Sequence, residues 1–228
     1  QTWRETVTKI VDVRSVPARA LPYDGEVIGA VQRSVEHSDA NDIVVCAAGT
    51  LPGELHKLWR AARPGGYHVE YGYSCMGYEI AGGIGVKMAR PEREVVVIVG
   101  DGSYLMLNSE IATSVMLGTK LVVVVLDNRG YGCIHRLQLA SGGEGFNNLF
   151  DDCVQGPLGA PDIDYAAHAR SLAALAEHVD SIAELETALV RARAADRTSV
   201  IVIDTDPLRS TAAGGWWWEV GIPEVSES

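Results

Sequence analysis

The chain has 228 residues, of which 47% are hydrophobic and 21% are charged. This composition is typical of a globular protein with a sizeable core, built as one large domain or two small ones. The formal net charge of −11 argues against a nucleic-acid partner, because nucleic-acid-binding surfaces are basic. No apolar run reaches the roughly 18 residues of a membrane span, and no signal peptide is visible. We therefore expect neither a membrane nor a nucleic-acid partner.

Composition divides the chain into three segments. Residues 1–20 are polar and are interpreted as a lead-in or linker, and residues 211–228 form a Trp-rich tail. Residues 21–210 carry the pattern of one α/β domain, which we expect to be the C-terminal domain of a longer enzyme. The cysteines are Cys46, Cys75, Cys133 and Cys153. Because no pair has Cys-x-x-Cys spacing, they predict reduced thiols and a cytoplasmic location.

Apolar runs alternate with helical patterns along this domain. The predicted strands are 42–47, 68–71, 95–99, 121–126 and 199–204, and the predicted helices are 51–62, 78–89, 106–117, 163–175 and 181–195. This alternation predicts an α/β fold with a doubly wound, mostly parallel sheet and helices on both faces. Thr50 is the expected N-cap of the first helix. Residues 140–160 lack periodicity and predict a long loop, either a lid or a disordered segment.

Two predicted strands end in polar side chains that we expect to lie together. The strand 95–99 continues into Gly100-Asp101-Gly102, and the strand 121–126 continues into Asp127-Asn128. In a right-handed strand–helix–strand unit both strands end at the same edge of the sheet, which is where open α/β sheets bind ligands. A carboxylate and an amide oxygen at that edge suit a hard cation such as Mg²⁺, shared with phosphate oxygens.

Gly100-Asp101-Gly102, followed after 24 residues by Asp127-Asn128, resembles the signature of thiamine-diphosphate enzymes. The family pattern is Gly-Asp-Gly, some two dozen residues, and then Asn-Asn. Asp127 departs from it, although the second asparagine of the pattern is the metal ligand. The resemblance extends over most of the chain from about Leu21 onward, and it implies the diphosphate- and metal-side domain of such an enzyme, with thiamine diphosphate and Mg²⁺ as cofactors.

The segments 46–60, 103–111, 126–134 and 216–219 resemble one branch of this family in particular. Members of that branch hydrolyse a carbon–carbon bond of a cyclic 1,2-diketone, trihydroxycyclohexane-1,2-dione, to 5-deoxy-glucuronate in myo-inositol breakdown. The alternative within the family is an acetolactate-synthase-like carboligase or decarboxylase that uses the same cofactor. A third hypothesis is a cofactor-free assembly module, against which the intact metal motif argues.

The resemblance also implies which residues form the site. The implied metal ligands are Asp101, Asn128 and the carbonyl oxygen of Gly130. The implied cofactor-binding residues are Gly49, Thr50, Leu51, Ser74, Met76, Gly102, Ser103, Asn128, Gly130 and Tyr131. Met76 would wedge under the bent cofactor, backbone groups of Ser74 and Met76 would hold the pyrimidine edge, and Ser103 would offer its N–H and hydroxyl to phosphate.

No catalytic residue is assigned to this chain, because in the family the activating glutamate lies on a preceding pyrimidine-side domain. The resemblance implies that this domain completes the site, from a second subunit of a homodimer or homotetramer. His135 and Arg136 follow the metal motif and are candidates for contact with the small-molecule diketone substrate. The glycines Gly82, Gly83 and Gly85 lie inside a helical pattern, which indicates close helix–sheet packing and not a dinucleotide site.

Overall fold

The computed structural model describes residues 2–17, 20–36, 41–153 and 156–213. Its helices are α1 (Trp3–Val11), α2 (Asp24–Glu36), α3 (Thr50–Leu58), α4 (Tyr78–Ala89), α5 (Asp101–Met106), α6 (Glu110–Met116), α7 (Gly132–Ala140), α8 (Tyr165–Ser171) and α9 (Ile182–Ala194). Its strands are β1 (Ile43–Cys46), β2 (Tyr67–Val69), β3 (Val95–Gly100), β4 (Val122–Asp127), β5 (Leu175–Val179) and β6 (Ser199–Asp204). The predicted alternation of strands and helices is confirmed.

The six strands form one sheet with the order β2-β1-β3-β4-β6-β5. Every pairing in it is parallel, so all strands end at the same edge. The chain moves from β1 outward to β2 and then returns past β1 to β3, which places the topological switch between β1 and β3. Ligands of open α/β sheets bind at the carboxyl ends of the strands beside such a switch.

Helices cover both faces of the sheet, as the doubly wound prediction requires. Along β3, Val96 and Ile98 pack toward α1, α2, α3 and α9, while Val95, Val97 and Val99 pack toward α4, α5, α6 and α8. The central strands are buried on both faces, and for this reason their sequences are continuous apolar runs without alternation. The sheet therefore lies between two layers of apolar core.

Helix α4 approaches the sheet closely, as its glycines predicted. A Cβ atom added to Gly83 would lie 2.5 Å from the Cγ2 atom of Val97 on β3. Gly85 has the opposite environment, since a Cβ atom there would meet nothing within 4 Å. Gly82 is crowded in another way, since a Cβ atom there would lie 2.3 Å from the Cε1 atom of Tyr78 in the same helix. Of the three glycines, Gly83 is the one that contact with the sheet requires.

The predicted helix 106–117 is wrong in its boundaries, because two short helices occupy this region. Helix α5 begins directly at the end of β3, and the chain leaves helical geometry at Leu107 (φ −149°, ψ 50°) before α6 begins. The side-chain amide of Asn108 donates to the carbonyl of Leu105 at 3.3 Å, which competes with continuation of the helix. Because α5 begins at Asp101, both Asp101 and Ser103 lie within the first turn after β3.

Other boundaries also differ from the sequence prediction. The helix predicted over 51–62 ends at Leu58, because Trp59 takes an extended conformation (φ −69°, ψ 128°). The stretch predicted as a helix over 163–175 ends at Ser171 and is followed by β5, an edge strand whose mostly unburied residues gave no apolar run. The elements absent from the sequence prediction are α1, α2, α7 and β5.

The structure describes most of the lead-in segment 1–20 but little of the tail 211–228. Within the lead-in, α1 buries Val7 and Val11 in the core. The Trp-rich tail from residue 214 onward lies outside the described residues.

Among the described helices, none combines the length and apolar character of a membrane span. No disulfide joins the four cysteines, all of which lie in the described residues, and Cys46 is buried in β1.

Candidate active site

A cavity of about 300 Å³ lies at the carboxyl ends of β1, β3 and β4, beside the topological switch. It is lined by every residue that the sequence proposed for metal or cofactor binding: Gly49, Thr50, Leu51, Ser74, Met76, Asp101, Gly102, Ser103, Asn128, Gly130 and Tyr131. These residues come from four separate segments of the chain. Their convergence follows from the parallel sheet, which brings all strand ends to one edge.

Asp101 is fully buried at the start of α5. Its Oδ2 atom accepts a hydrogen bond from the N–H of Gly130 at 2.7 Å. Its Oδ1 atom is buried and accepts no hydrogen bond from the described part of the chain. Burial, and next the nearby carboxylate of Asp127, raise the pKa of Asp101 above its usual range. A buried carboxylate with one unmatched oxygen fits a cation, which would supply both the missing partner and the missing charge.

The loop after β4 supplies the other proposed ligands. The Oδ1 atom of Asn128 is 3.3 Å from the N–H of Gly132, which donates to it. Gly130 has φ +139°, and a Cβ atom there would lie 2.3 Å from the carbonyl oxygen of Asn148. The loop is backed by a later segment, since Tyr131 N–H donates to the Asn148 carbonyl at 2.7 Å. Only glycine fits at position 130, and this fixes the course of the loop past Asp101.

The start of α3 faces the same cavity. Gly49 is the N-cap residue, with φ +83° and open space where a side chain would lie. The prediction that Thr50 caps this helix is wrong, because Thr50 is already its first residue and its hydroxyl accepts a hydrogen bond from Arg136. Because no side chain caps α3 and its N-cap residue is a glycine, the first backbone N–H groups of the helix can bind an anion such as a diphosphate.

The loop between β2 and α4 carries Ser74 and Met76. Ser74 has φ +53°, an uncommon conformation for a residue with a side chain. The residues on either side of Ser74 donate their N–H groups to the carboxylate of Glu70, Tyr73 at 3.0 Å and Cys75 at 2.7 Å. These two bonds hold the loop in shape, and they lower the pKa of Glu70. Sequence reasoning did not identify this role of Glu70.

Ser103 lines the cavity, but its hydroxyl is already engaged. It donates to the carboxylate of Glu79, with oxygen–oxygen distances of 2.7 and 2.8 Å, and accepts from the N–H of Gly77 at 2.8 Å. In the observed arrangement the hydroxyl proton of Ser103 is donated to Glu79, so this hydroxyl cannot donate to a phosphate as expected. Contact through the Ser103 N–H stays a prediction.

Asp24 is a cavity residue that sequence reasoning missed. It lies in the first turn of α2, is 3% exposed and lines the cavity beside Leu51. Burial raises the pKa of Asp24 to about 7, and the positive charge of Arg136 offsets part of that rise. Its sequence signal was absent because α2 itself was not predicted.

Not every candidate reaches the cavity. His135 faces Asp152, with 3.6 Å between its Nδ1 atom and the carboxylate, and it packs beneath the loop at Gly145. The guanidinium of Arg136 bonds the Pro207 carbonyl as well as Thr50. In the described residues, neither side chain lines the cavity, so the expected substrate contact by this pair has no support from the geometry.

Two curated proteins that are similar to this chain and come from different bacteria carry the same name. The chain is 42% identical over 193 residues to the 3D-(3,5/4)-trihydroxycyclohexane-1,2-dione hydrolase of Halalkalibacterium halodurans, covering 84% of this chain and 30% of that protein. It is 42% identical over 224 residues to the protein of the same name from Geobacillus thermodenitrificans, covering 96% of this chain and 34% of that protein. The chain thus spans about a third of the length of these relatives.

Solved structures share the fold at lower identity. A thiamine diphosphate-dependent 4-hydroxybenzoylformate decarboxylase from Rhodococcus jostii RHA1 has a TM-score of 0.69 and 18% identity, covering 85% of this chain and 34% of that chain. The benzoylformate decarboxylase from Polynucleobacter necessarius has a TM-score of 0.67 and 21% identity, covering 79% and 33%. Residues 47–203 match the family model for the C-terminal TPP-binding domain of thiamine pyrophosphate enzymes. That match covers more than half of the chain and includes every site residue implied by the sequence resemblance, so the chain belongs to the family of thiamine pyrophosphate enzyme C-terminal domains.

Proposed function

We propose that this chain is the diphosphate- and metal-binding part of a Mg²⁺-dependent hydrolase that cleaves a carbon–carbon bond of trihydroxycyclohexane-1,2-dione. The observation that carries the metal assignment is the unmatched, buried Oδ1 atom of Asp101 in a cavity shared with Asn128 and Gly130. The names of the relatives at 42% identity support the substrate. The neighbouring decarboxylase structures support the fold alone.

The chain's own residues divide the work of holding the cofactor. Asp101 and Asn128 would bind Mg²⁺ through side-chain oxygens, and Gly130 would add its carbonyl. The backbone N–H groups at Gly49–Leu51 would face the diphosphate, and Met76 would support the cofactor's bent shape. When bound, thiamine diphosphate would supply a nucleophilic carbon, which is chemistry that no side chain of this chain provides.

The remaining assignments concern the larger protein. An activating glutamate from a pyrimidine-side domain of a second subunit would complete the site, in a homodimer or homotetramer. Cysteines that form no disulfide in the described residues support a reducing, cytoplasmic location, and the relatives' name, which contains the diketone, supports a place in inositol catabolism. A lid from the stretch 140–160 belongs to the same proposal; what supports it is that the Asn148 carbonyl accepts a hydrogen bond from Tyr131 N–H, which places this part of the stretch beside the cavity.

The metal assignment is tested by Asp101→Ala in the full-length protein that carries this chain. We expect Mg²⁺-dependent retention of thiamine diphosphate, measured by equilibrium dialysis, to be abolished, because the variant lacks the one charged ligand. The matched control is Asp204→Ala, which removes an exposed carboxylate from the end of β6 at the same sheet edge. Retention by Asp101→Ala at the wild-type level would refute the metal site.

The substrate is tested separately on the wild-type protein. Trihydroxycyclohexane-1,2-dione and pyruvate are each supplied with saturating cofactor and Mg²⁺, and the products are followed by mass spectrometry. Ring opening of the diketone to 5-deoxy-glucuronate is expected. Turnover of pyruvate with no turnover of the diketone would replace the hydrolase by a carboligase or decarboxylase.

A further inference from the structure

A buried glutamate behind the cavity connects three of the segments that form it. Glu79 lies in the first turn of α4, is 1% exposed and does not itself line the cavity. Its carboxylate accepts hydrogen bonds from the Ser103 hydroxyl, from the N–H of Gly77 at 3.0 Å and from the N–H of Ala48 at 3.4 Å. Each of these donors is next to a different part of the proposed site.

The three donors lie in or beside three segments that line the cavity. Ala48 immediately precedes the Gly49–Leu51 turn at the start of α3, and Gly77 immediately follows Met76. Ser103 lies two residues after Asp101 on α5. The three segments are far apart in the sequence and are joined at one buried anion. Displacement of that anion would change their spacing, which is the spacing that a cofactor spanning the cavity must match.

Glu79 is held in its buried position by hydrogen bonds. A carboxyl group at this depth is costly unless its oxygens are satisfied, and burial raises the pKa of Glu79. No salt bridge to Glu79 occurs in the described residues, so hydroxyl and backbone donors alone offset that cost. The apolar residues of this helix, Ile80 and Ile84, already supply its contacts with the core.

We propose that Glu79 is a positioning residue for the cofactor, which aligns the Ala48, Gly77 and Ser103 segments through one shared carboxylate. This inference rests on the proposed function and deepens it. It also assigns the Ser103 hydroxyl to Glu79, which leaves the Ser103 N–H as the group that faces a phosphate. Glu79 touches neither cofactor nor substrate.

The test compares Glu79→Ala with Glu54→Ala in the full-length protein. Glu54 is also 1% exposed and accepts bonds from the N–H and hydroxyl of Thr211, so it matches Glu79 in burial and bonding. It lies in α3, one turn after Thr50, and its bonds join that helix to Thr211 and not to the segments of Met76 and Ser103. The dissociation constant of thiamine diphosphate is measured by calorimetry at saturating Mg²⁺, below both melting temperatures. We expect Glu79→Ala to raise it about tenfold or more, and Glu54→Ala less than about twofold. Equal effects of the two variants would overturn the proposal.

Two further variants keep the proposal testable if Glu79→Ala does not fold. Glu79→Gln retains one carbonyl oxygen for Ser103 and is expected to recover part of the lost affinity. Ser103→Ala keeps the backbone N–H but removes the bond to Glu79, so it is expected to raise the dissociation constant of thiamine diphosphate as well. Wild-type affinity in Ser103→Ala would refute the coupling between Glu79 and Ser103.

The controls separate this inference from the function on which it rests. If the wild-type protein does not bind thiamine diphosphate, the proposed function and the inference fail together. If the wild-type protein binds it and Glu79→Ala binds it equally well, only the positioning role of Glu79 fails.

Discussion

At the scale of single residues, the site depends on backbone positions that only glycine can occupy. Gly130 combines φ +139° with a 2.3 Å approach of an added Cβ atom to the backbone oxygen of Asn148. A backbone atom cannot move aside as the end of a flexible side chain can. The conformation of Gly130 therefore determines where its N–H meets Asp101 and where its carbonyl lies.

Gly130→Ala is expected to lower the free energy of unfolding by about 3 kcal/mol or more, because it adds a clash to an unfavourable conformation. The control is Gly118→Ala, where φ is +62° and nothing lies within 4 Å of an added Cβ atom. That variant should lose only about 1–2 kcal/mol, the conformational cost alone. Urea denaturation measures both, and equal losses would show that the Asn148 contact is absent.

Asp24 gives the protein a pH-dependent stability that the variant Asp24→Asn should remove. Burial raises its pKa from 3.8 to about 7, so the folded state binds its proton more tightly than the unfolded state does. Its destabilising effect is absent below pH 3.8, grows as the pH rises to about 7, and is complete above that. At pH 8 the cofactor-free variant should be more stable than the wild type by a few kcal/mol, roughly.

The measurement for Asp24 is a series of urea denaturation curves between pH 4 and pH 8 without Mg²⁺ or cofactor. The difference in stability between Asp24→Asn and the wild type should grow with pH across this range. A constant difference at every pH would mean that Asp24 has an ordinary pKa in the folded protein.

At the scale of elements, α4 connects the core of the domain to its site. Its N-terminal end carries Glu79 behind the cavity, and its middle packs on β3 through Gly83. The close approach at Gly83 is what brings this end of the helix near the end of the strand. Core packing and site geometry therefore depend on the same helix.

Two substitutions in α4 should have opposite effects on stability. Gly83→Ala places a Cβ atom 2.5 Å from Val97 Cγ2 and should destabilise the fold by about 1–3 kcal/mol. Gly85→Ala adds a methyl group at an exposed helical position with open space and should stabilise it by about 0.5–1 kcal/mol. Thermal unfolding of both variants checks the pair, and a stabilising Gly83→Ala would contradict the observed packing.

At the scale of the whole molecule, two features limit the affinity of this chain alone for the cofactor: its negative net charge and its short length compared with its relatives. A net charge of −11 opposes binding of an anionic diphosphate, so a cation and helix N-termini must provide the local positive potential. The chain also spans only about a third of its relatives, and in the proposed function the pyrimidine pocket lies on another domain.

The isolated chain should therefore bind thiamine diphosphate weakly, with a dissociation constant above about 1 μM. Calorimetry at saturating Mg²⁺ measures it, and addition of EDTA should abolish the remaining binding. A submicromolar constant for the chain alone would contradict the division of the site between two domains.

The sequence determined the parts of this protein that depend on local pattern. Continuous apolar runs gave the central strands β3, β4 and β6, because strands buried on both faces need apolar residues throughout. The strand-end motifs then indicated Asp101 and Asn128, since parallel strands end at one edge. The resemblance to a family supplied the remaining site residues, all of which line one cavity.

Tertiary structure decided what no local pattern encodes. The edge strand β5 has little buried surface and no apolar signature, and α2 was recognised only once its packing on the core was seen. Glu79 and Asp24 resembled ordinary surface acids in the sequence, because burial depends on neighbours distant along the chain. The fold determines whether a charged side chain is exposed to water or buried behind a site, and that difference determines its pKa.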